Sequence, residues 1–268
     1  MNIQSFCSLK AEEVAKQPNN LIEIALGDKE PYTPAQYKLN EINFDCYSIH
    51  SPFFDNNGFS LADLAHYEGQ ITLEVLMEFA QNVASRLGHR VSVILHCTIA
   101  LRAFYDFYYN KILDAAIDLL PKYQDVDISL ENGSIDIYNS CVLDEPVIIA
   151  TELNKAIKDT RFFTTLDIWR ALMVEKGLSP MHSHITLDWF MERYAGTCNI
   201  IHLAKCAEPS INPNLWRAPM VQGDAELERF VDLYIEKKMA ADITLGLDGN
   251  SRPEYQALSS LLVERGLL

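Results

Sequence analysis

VSVILH (91–96) and VDISLE (126–131) are short apolar runs that read as β-strands. Between them lies RAFYDFYYNKILDAAIDLLPKY (102–123), which spaces its apolar residues at intervals of three and four and reads as an amphipathic helix. Strand, helix, strand with short connections predicts a parallel βαβ unit. The same alternation extends both ways. Upstream stand IQSF (3–6), LIEIA (21–25) and NFDCYSI (43–49); downstream stand RFFTTLD (161–167), CNIIHL (198–203) and ADITLGL (241–247). Further helical spacing appears at 71–88, 146–159, 183–195, 225–239 and 253–266. Eight strand-like runs are the number that closes a sheet on itself, so the expectation is an α/β chain folded as one (β/α)8 barrel over residues 1–268. An open doubly wound sheet is the alternative. It lacks its usual phosphate cradle here, since no G-x-G-x-x-G follows the first strand and no G-x-x-x-x-G-K-[ST] occurs anywhere.

The composition supports one large core, with 49% of 268 residues hydrophobic. No stretch approaches the roughly 18 uninterrupted apolar residues of a membrane helix, and MNIQSFCSLKAEEVAKQ has no basic-then-apolar signal pattern, so a cytoplasmic protein with no membrane partner is expected. Six cysteines, Cys7, Cys46, Cys97, Cys141, Cys198 and Cys206, form no C-x-x-C pair and read as buried thiols in a reducing compartment. Cys198 and Cys206 flank His202, but all three fall on one strand and its loop, which argues against a zinc-thiolate site. Acidic residues outnumber basic ones 37 to 22, a net charge of −15. Such a surface repels a phosphate backbone, and no local basic patch offsets it, so no nucleic-acid partner is expected.

The strand ends carry the functional signal. His50 closes YSIH, His96 closes VILH, Glu131 closes ISLE, Asp167 closes TTLD, and His202 lies near the end of NIIHL. In a parallel barrel all these ends open on one face, so residues distant in sequence converge over its mouth. Carboxylates and imidazoles gathered there suit one divalent ion (Mn, Mg, Co or Zn) with positions open for a sugar's oxygens, and proton transfer beside a polarised carbonyl gives isomerisation or epimerisation. Each residue also has a plainer reading. Asp167 can cap the following helix, His50, His96 and His202 can be hydrogen-bonded core histidines, and Glu23 can pair with a basic neighbour. His182 and His184 read as loop residues before a helix capped by Ser183. Trp169 and Trp216 fall near the mouth and could stack on a sugar ring, whereas Trp189 has helical spacing and reads as packing.

Across nearly its whole length the chain resembles the xylose-isomerase-like TIM barrel superfamily of sugar phosphate isomerases and epimerases and endonuclease IV. The resemblance rests on INFDCYSIHSPF, ASRLGHRVSVILHC, YQDVDISLENGS, FFTTLDIWRA, NIIHLAK, and RAPMVQGDAELERFVD followed by ADITLGLD. It implies Glu131, Asp167 and His202 as metal ligands. The fourth family ligand, a Glu at the end of the last strand, is replaced by Gly246, with Asp248 two residues on as the substitute. The family's D-x-x-H becomes Asp167-Ile-Trp-Arg170, Lys205 displaces an aspartate, and Arg217 replaces a histidine. Three cations thus stand where ligands are expected, and the arginines could hold an anionic group bidentately. The trinuclear arrangement of endonuclease IV needs most of the missing residues.

The resulting expectation is a metal-dependent isomerase or epimerase of a small sugar, polyol or sugar phosphate. Glu131, His50 and His96 would be catalytic; Glu131, Asp167, His202 and Asp248 would hold the metal; Glu23, Arg170, Lys205, Arg217, Trp169 and Trp216 would contact the carbohydrate. The alternative is a barrel that has lost its metal and binds an anionic metabolite without catalysis. The chain is read as a candidate homo-oligomer, with dimer and tetramer both open.

Overall fold

The computed structural model describes residues 1–26, 39–51, 53–54, 57–58, 67–97, 102–133, 143–178, 185–207, 217–246 and 251–268, with the backbone alone at 53–54, 57–58, 102–109 and 177–178. Asp248, Trp216, His182, His184 and Cys141 lie outside the described residues. Twelve strands are present among them: β1 Ile3–Ser8, β2 Leu21–Ala25, β3 Asp45–His50, β4 Phe53–Phe54, β5 Asn57–Gly58, β6 Val91–His96, β7 Val126–Glu131, β8 Phe162–Asp167, β9 Cys198–His202, β10 Lys205–Cys206, β11 Arg217–Ala218 and β12 Asp242–Leu245. Eight of them close a parallel barrel in the order β1-β12-β9-β8-β7-β6-β3-β2, and these are the eight runs expected from the sequence. The other four form two small two-stranded antiparallel sheets, β4 with β5 and β10 with β11. The helices are α1 Ala11–Val14, α2 Tyr67–Leu87, α3 Arg102–Leu119, α4 Glu145–Ile157, α5 Ile168–Met173, α6 Leu187–Tyr194, α7 Ala225–Glu236 and α8 Ser251–Glu264. None is long and apolar enough to cross a membrane.

The barrel follows from a side-chain period of two. On β7, Val126, Ile128 and Leu130 belong to the apolar layer under the helices, while Ser129 and Glu131 alternate with them. Val91, Val93 and Leu95 of β6 join the same layer. That layer is two clusters. One is built on β2, β3, β6 and β7 with α2, and the other on β8, β9 and β12 with α5 to α8.

The residues between are polar and bond across the barrel. Ser129 Oγ lies 2.7 Å from Thr165 Oγ1 and donates to Asn199 Oδ1 at 2.9 Å, and Asn199 Nδ2 donates to Ser92 Oγ at 2.8 Å. On the far wall Gln4 Nε2 donates to Ser48 Oγ at 3.2 Å. Buried polar groups cost free energy unless paired, so this interior constrains the register of six strands at once.

Asp127, at the amino end of β7, is a buried carboxylate held by two arginines. Arg161 donates from Nε at 3.0 Å and Arg90 from Nε at 2.9 Å. Arg161 also donates to the carbonyls of Tyr123 and Val126, closing the turn between α3 and β7. Replacing one partner of a buried ion pair leaves the other charge partly uncompensated. Arg161→Met is therefore expected to lower the free energy of unfolding by about 3 kcal/mol in urea denaturation, and a loss no larger than that of a surface substitution would disprove the role.

Candidate functional site

The carboxyl ends of the strands place Glu23, His50, His96, Glu131, Asp167 and His202 in one buried cluster. Register does much of this. His96 of β6 is the cross-strand partner of Glu131 on β7, and Asp167 of β8 that of His202 on β9. A shift between Thr164 and Thr165 sets the second pairing; without it Asp167 would fall one residue out of step.

His202 bridges two carboxylates. Its Nδ1 lies 2.9 Å from Glu131 Oε1, and its Nε2 lies 3.0 and 3.2 Å from the two oxygens of Glu23. With an acceptor on each ring nitrogen, the imidazolium is the form that donates on both sides. Burial opposes that charge, but Glu23 and then Glu131 outweigh it and raise the pKa to about 10. Burial likewise opposes ionisation of Glu23, and His202 overcomes it to leave the carboxyl below its usual range. Ser48 and Thr244 add hydrogen bonds to Glu23 Oε2 at 2.7 and 2.9 Å.

Glu131 is 1% exposed. Its Oε2 faces His96 Nε2 at 3.0 Å and Arg170 Nη1 at 3.2 Å. Against the cost of burial, Arg170 and then His96 and His202 hold Glu131 well below the carboxylate range. His50 is pushed down to about 4, by burial and then by His96. Its ring stands 5.0 Å from that of His96 and 5.6 Å from that of His202, and its Nδ1 is 2.8 Å from the Ser51 carbonyl.

Asp167 caps α5, accepting from the Arg170 N–H at 3.2 Å through Oδ1. Its Oδ2 is met by Arg170 Nε at 3.3 Å and by Arg217 Nη2 at 2.7 Å. The Arg217 guanidinium also lies 4.5 Å over the Trp169 ring, a cation–π contact. Among the described residues, the buried Nε of Arg217 and Nε1 of Trp169 have no hydrogen-bond partner. Lys205 is engaged elsewhere, donating to both oxygens of Asp224 at 2.9 Å.

Two positioning residues escaped the sequence reading. Asn132 accepts from the Asp167 N–H at 2.6 Å and donates to its carbonyl at 3.3 Å, fixing the end of β8, while its own carbonyl accepts from Arg170. It follows Glu131 directly, and that adjacency was its available signal. Glu254 is buried in α8 and accepts from the backbone of both Met220 and Gly246, at 3.2 and 2.7 Å. In sequence it reads as an ordinary acid in the first turn of a helix.

Ligand atoms of Glu131, Asp167 and His202 lie within 4.8 Å of one another, as do those of His50, His96 and Glu131 and those of Glu23, His50 and His202. By spacing alone, each trio could hold a metal ion. The donor set tells against it in this arrangement. Both oxygens of Glu131 and both of Asp167 already meet cations or N–H donors, and both nitrogens of His202 face carboxylates. Gly246 has φ +76°, and a Cβ there would stand 2.7 Å from Ser251 Cβ, so no carboxylate side chain fits that position unless α8 moves. An ion on Glu131, Asp167 and His202 would have to displace two guanidinium groups, so that trio does not fit a divalent ion as it stands.

No family model matches the chain, and no curated protein matches it in sequence. Solved structures do. A 3-keto-D-glucoside 4-epimerase from E. coli matches with a TM-score of 0.59 at 11% identity, covering 100% of both chains. An L-ribulose 3-epimerase matches at 0.57 and 11%, covering 100% of this chain and 95% of that one. Endonuclease IV from Thermus thermophilus matches at 0.54 and 15%, covering 98% of this chain and 100% of that one. The chain shares a (β/α)8 barrel fold with these proteins, and at these identities its chemistry must be read from its own residues.

Two outcomes follow from the cluster. The folded pKa of His202, about 10, lies above its ordinary 6.5, so its stabilisation is complete below about 6.5 and is lost as pH rises towards 10. Glu23 and Glu131, held below 4.5, contribute above that value and lose their share as pH falls. The melting temperature is expected to fall between pH 6.5 and 10, and to fall less in His202→Gln; parallel profiles would remove the charge from His202. Gly246→Glu, which restores a carboxylate to the last strand, is expected to cost about 1–3 kcal/mol from backbone strain alone, and unchanged stability in urea would show that α8 yields there.

Proposed function

We propose that residues 1–268 act as one domain, an isomerase or epimerase of a small sugar, polyol or sugar phosphate that transfers a proton at the barrel mouth. The observation that carries this reading is the Glu131–His96 pair, a buried carboxylate 3.0 Å from an imidazole at the open end of a fold shared with sugar epimerases. A carboxylate held well below its usual range is a weak base by itself. The better role for Glu131 is to orient His96 and stabilise the imidazolium that forms when His96 takes a proton from the carbon beside a carbonyl. The negative charge then gathers on the carbonyl oxygen, where Arg170 and Arg217 supply hydrogen bonds. Returning the proton to the neighbouring carbon isomerises the sugar. Epimerisation follows when His50, held neutral and so able to act as a base, takes the proton on one face and the His96 imidazolium returns one on the other.

A second reading keeps one divalent ion, Mn, Mg, Co or Zn, on Glu131, Asp167 and His202. The 4.8 Å grouping of their ligand atoms favours it. A third, binding of an anionic metabolite without turnover, is favoured by the Arg217 Nε and its missing partner among the described residues. Cleavage of abasic DNA sits poorly with the net charge of −15.

The test is proton NMR of a panel of aldoses, ketoses and their phosphates in D2O. Solvent deuterium is expected at the carbon beside the carbonyl, and His96→Gln is expected to slow exchange by about 10²–10⁴-fold. Exchange unaffected by that substitution would rule His96 out as the proton carrier.

A further inference from the structure

We infer that Arg170 and Arg217 together occupy the electrostatic place of a divalent ion, and that the wild-type site binds none. Three observations converge on this. First, the two guanidinium groups meet the carboxylates an ion would need: Arg170 touches Glu131 at 3.2 Å and Asp167 at 3.3 Å, and Arg217 touches Asp167 at 2.7 Å. Second, their own positions are held independently of those carboxylates. Arg170 donates to the Asn132 carbonyl at 2.5 Å, and Arg217 is stacked 4.5 Å over Trp169 on a strand anchored by Lys205 and Asp224. Third, position 246 itself is closed to a carboxylate side chain, because Gly246 packs against Ser251 and gives its N–H to Glu254.

An ion entering this cluster would bring positive charge towards two fixed guanidiniums in a buried setting, where like charges repel strongly. The arrangement keeps the function of a Lewis acid in part. Arg217 Nε, buried and without a partner among the described residues, is the donor left for a ligand oxygen, and Trp169 Nε1 is a second. The ligand class is a small molecule presenting a carbonyl, carboxylate or phosphate oxygen. This inference rests on contacts rather than turnover, so it can fail while the isomerase reading stands, and the reverse.

The first measurement is elemental analysis of wild-type protein purified without chelator, followed by Mn²⁺ titration monitored by EPR and thermal shift. Sub-stoichiometric metal and an unmoved melting temperature are expected. The second uses Arg170→Gln/Arg217→Gln, which uncovers Glu131 and Asp167 and is expected to bind Mn²⁺ at least about tenfold more tightly than wild type. Arg170→His, which keeps a partner for the carboxylates, is the back-up should the double variant not fold, and is expected to gain binding in the same direction. Near-stoichiometric metal in the wild type, lost on Glu131→Gln/Asp167→Asn, would overturn the inference. So would folded arginine variants that take up no more Mn²⁺ than the wild type.

Discussion

The structure depends on one buried ionic bridge, Glu23–His202–Glu131, which joins β2, β9 and β7 across the mouth of the barrel. All three side chains are almost wholly removed from water. Burying them separately would cost several kcal/mol each, so each requires the others in place. Ser48 and Thr244 hydrogen-bond to Glu23, and His96 and Arg170 face Glu131 as ion-pair partners, so the bridge is embedded in a wider charged network. A strand that slipped by one residue would turn one of these groups to the apolar helix side and leave the others unpaired.

Beneath the bridge the barrel axis is polar where many barrels are packed with branched apolar residues. Serines, threonines and Asn199 hydrogen-bond from wall to wall, while the apolar side chains of the same strands form a layer under the helices. The division fits the function proposed. Hydrophobic burial outside supplies the stabilisation, and the hydrogen-bonded interior holds the side chains at the mouth within fixed geometry, as a site for proton transfer requires.

Charge distribution separates this site from an ion-binding one. Glu23, Glu131 and Asp167 are met by His202, Arg170 and Arg217. A guanidinium polarises an oxygen less strongly than a divalent ion does, but it presents directed N–H donors and cannot be lost to a chelator. The same exchange explains why Gly246 is tolerated at the end of β12, since an ion-free cluster needs no fourth carboxylate. The space it leaves is taken by the packing of α8 and by Glu254.

The sequence by itself determined the barrel and which residues end its strands. Strand periodicity, helix spacing and the order of elements are local signals, and each barrel strand overlaps its expected run by all but a residue or two at the ends. It also brought His50, His96, Glu131, Asp167 and His202 into view, because parallel strands force their ends onto one face. Only the tertiary structure decided what those residues do to one another. Whether Arg170 reaches Glu131, whether Lys205 faces the cluster or Asp224, and whether Glu254 is a surface acid or a buried clamp depend on register shifts and side-chain distances across the barrel. Those distances arise from contacts between residues far apart in the chain, and no local pattern encodes them.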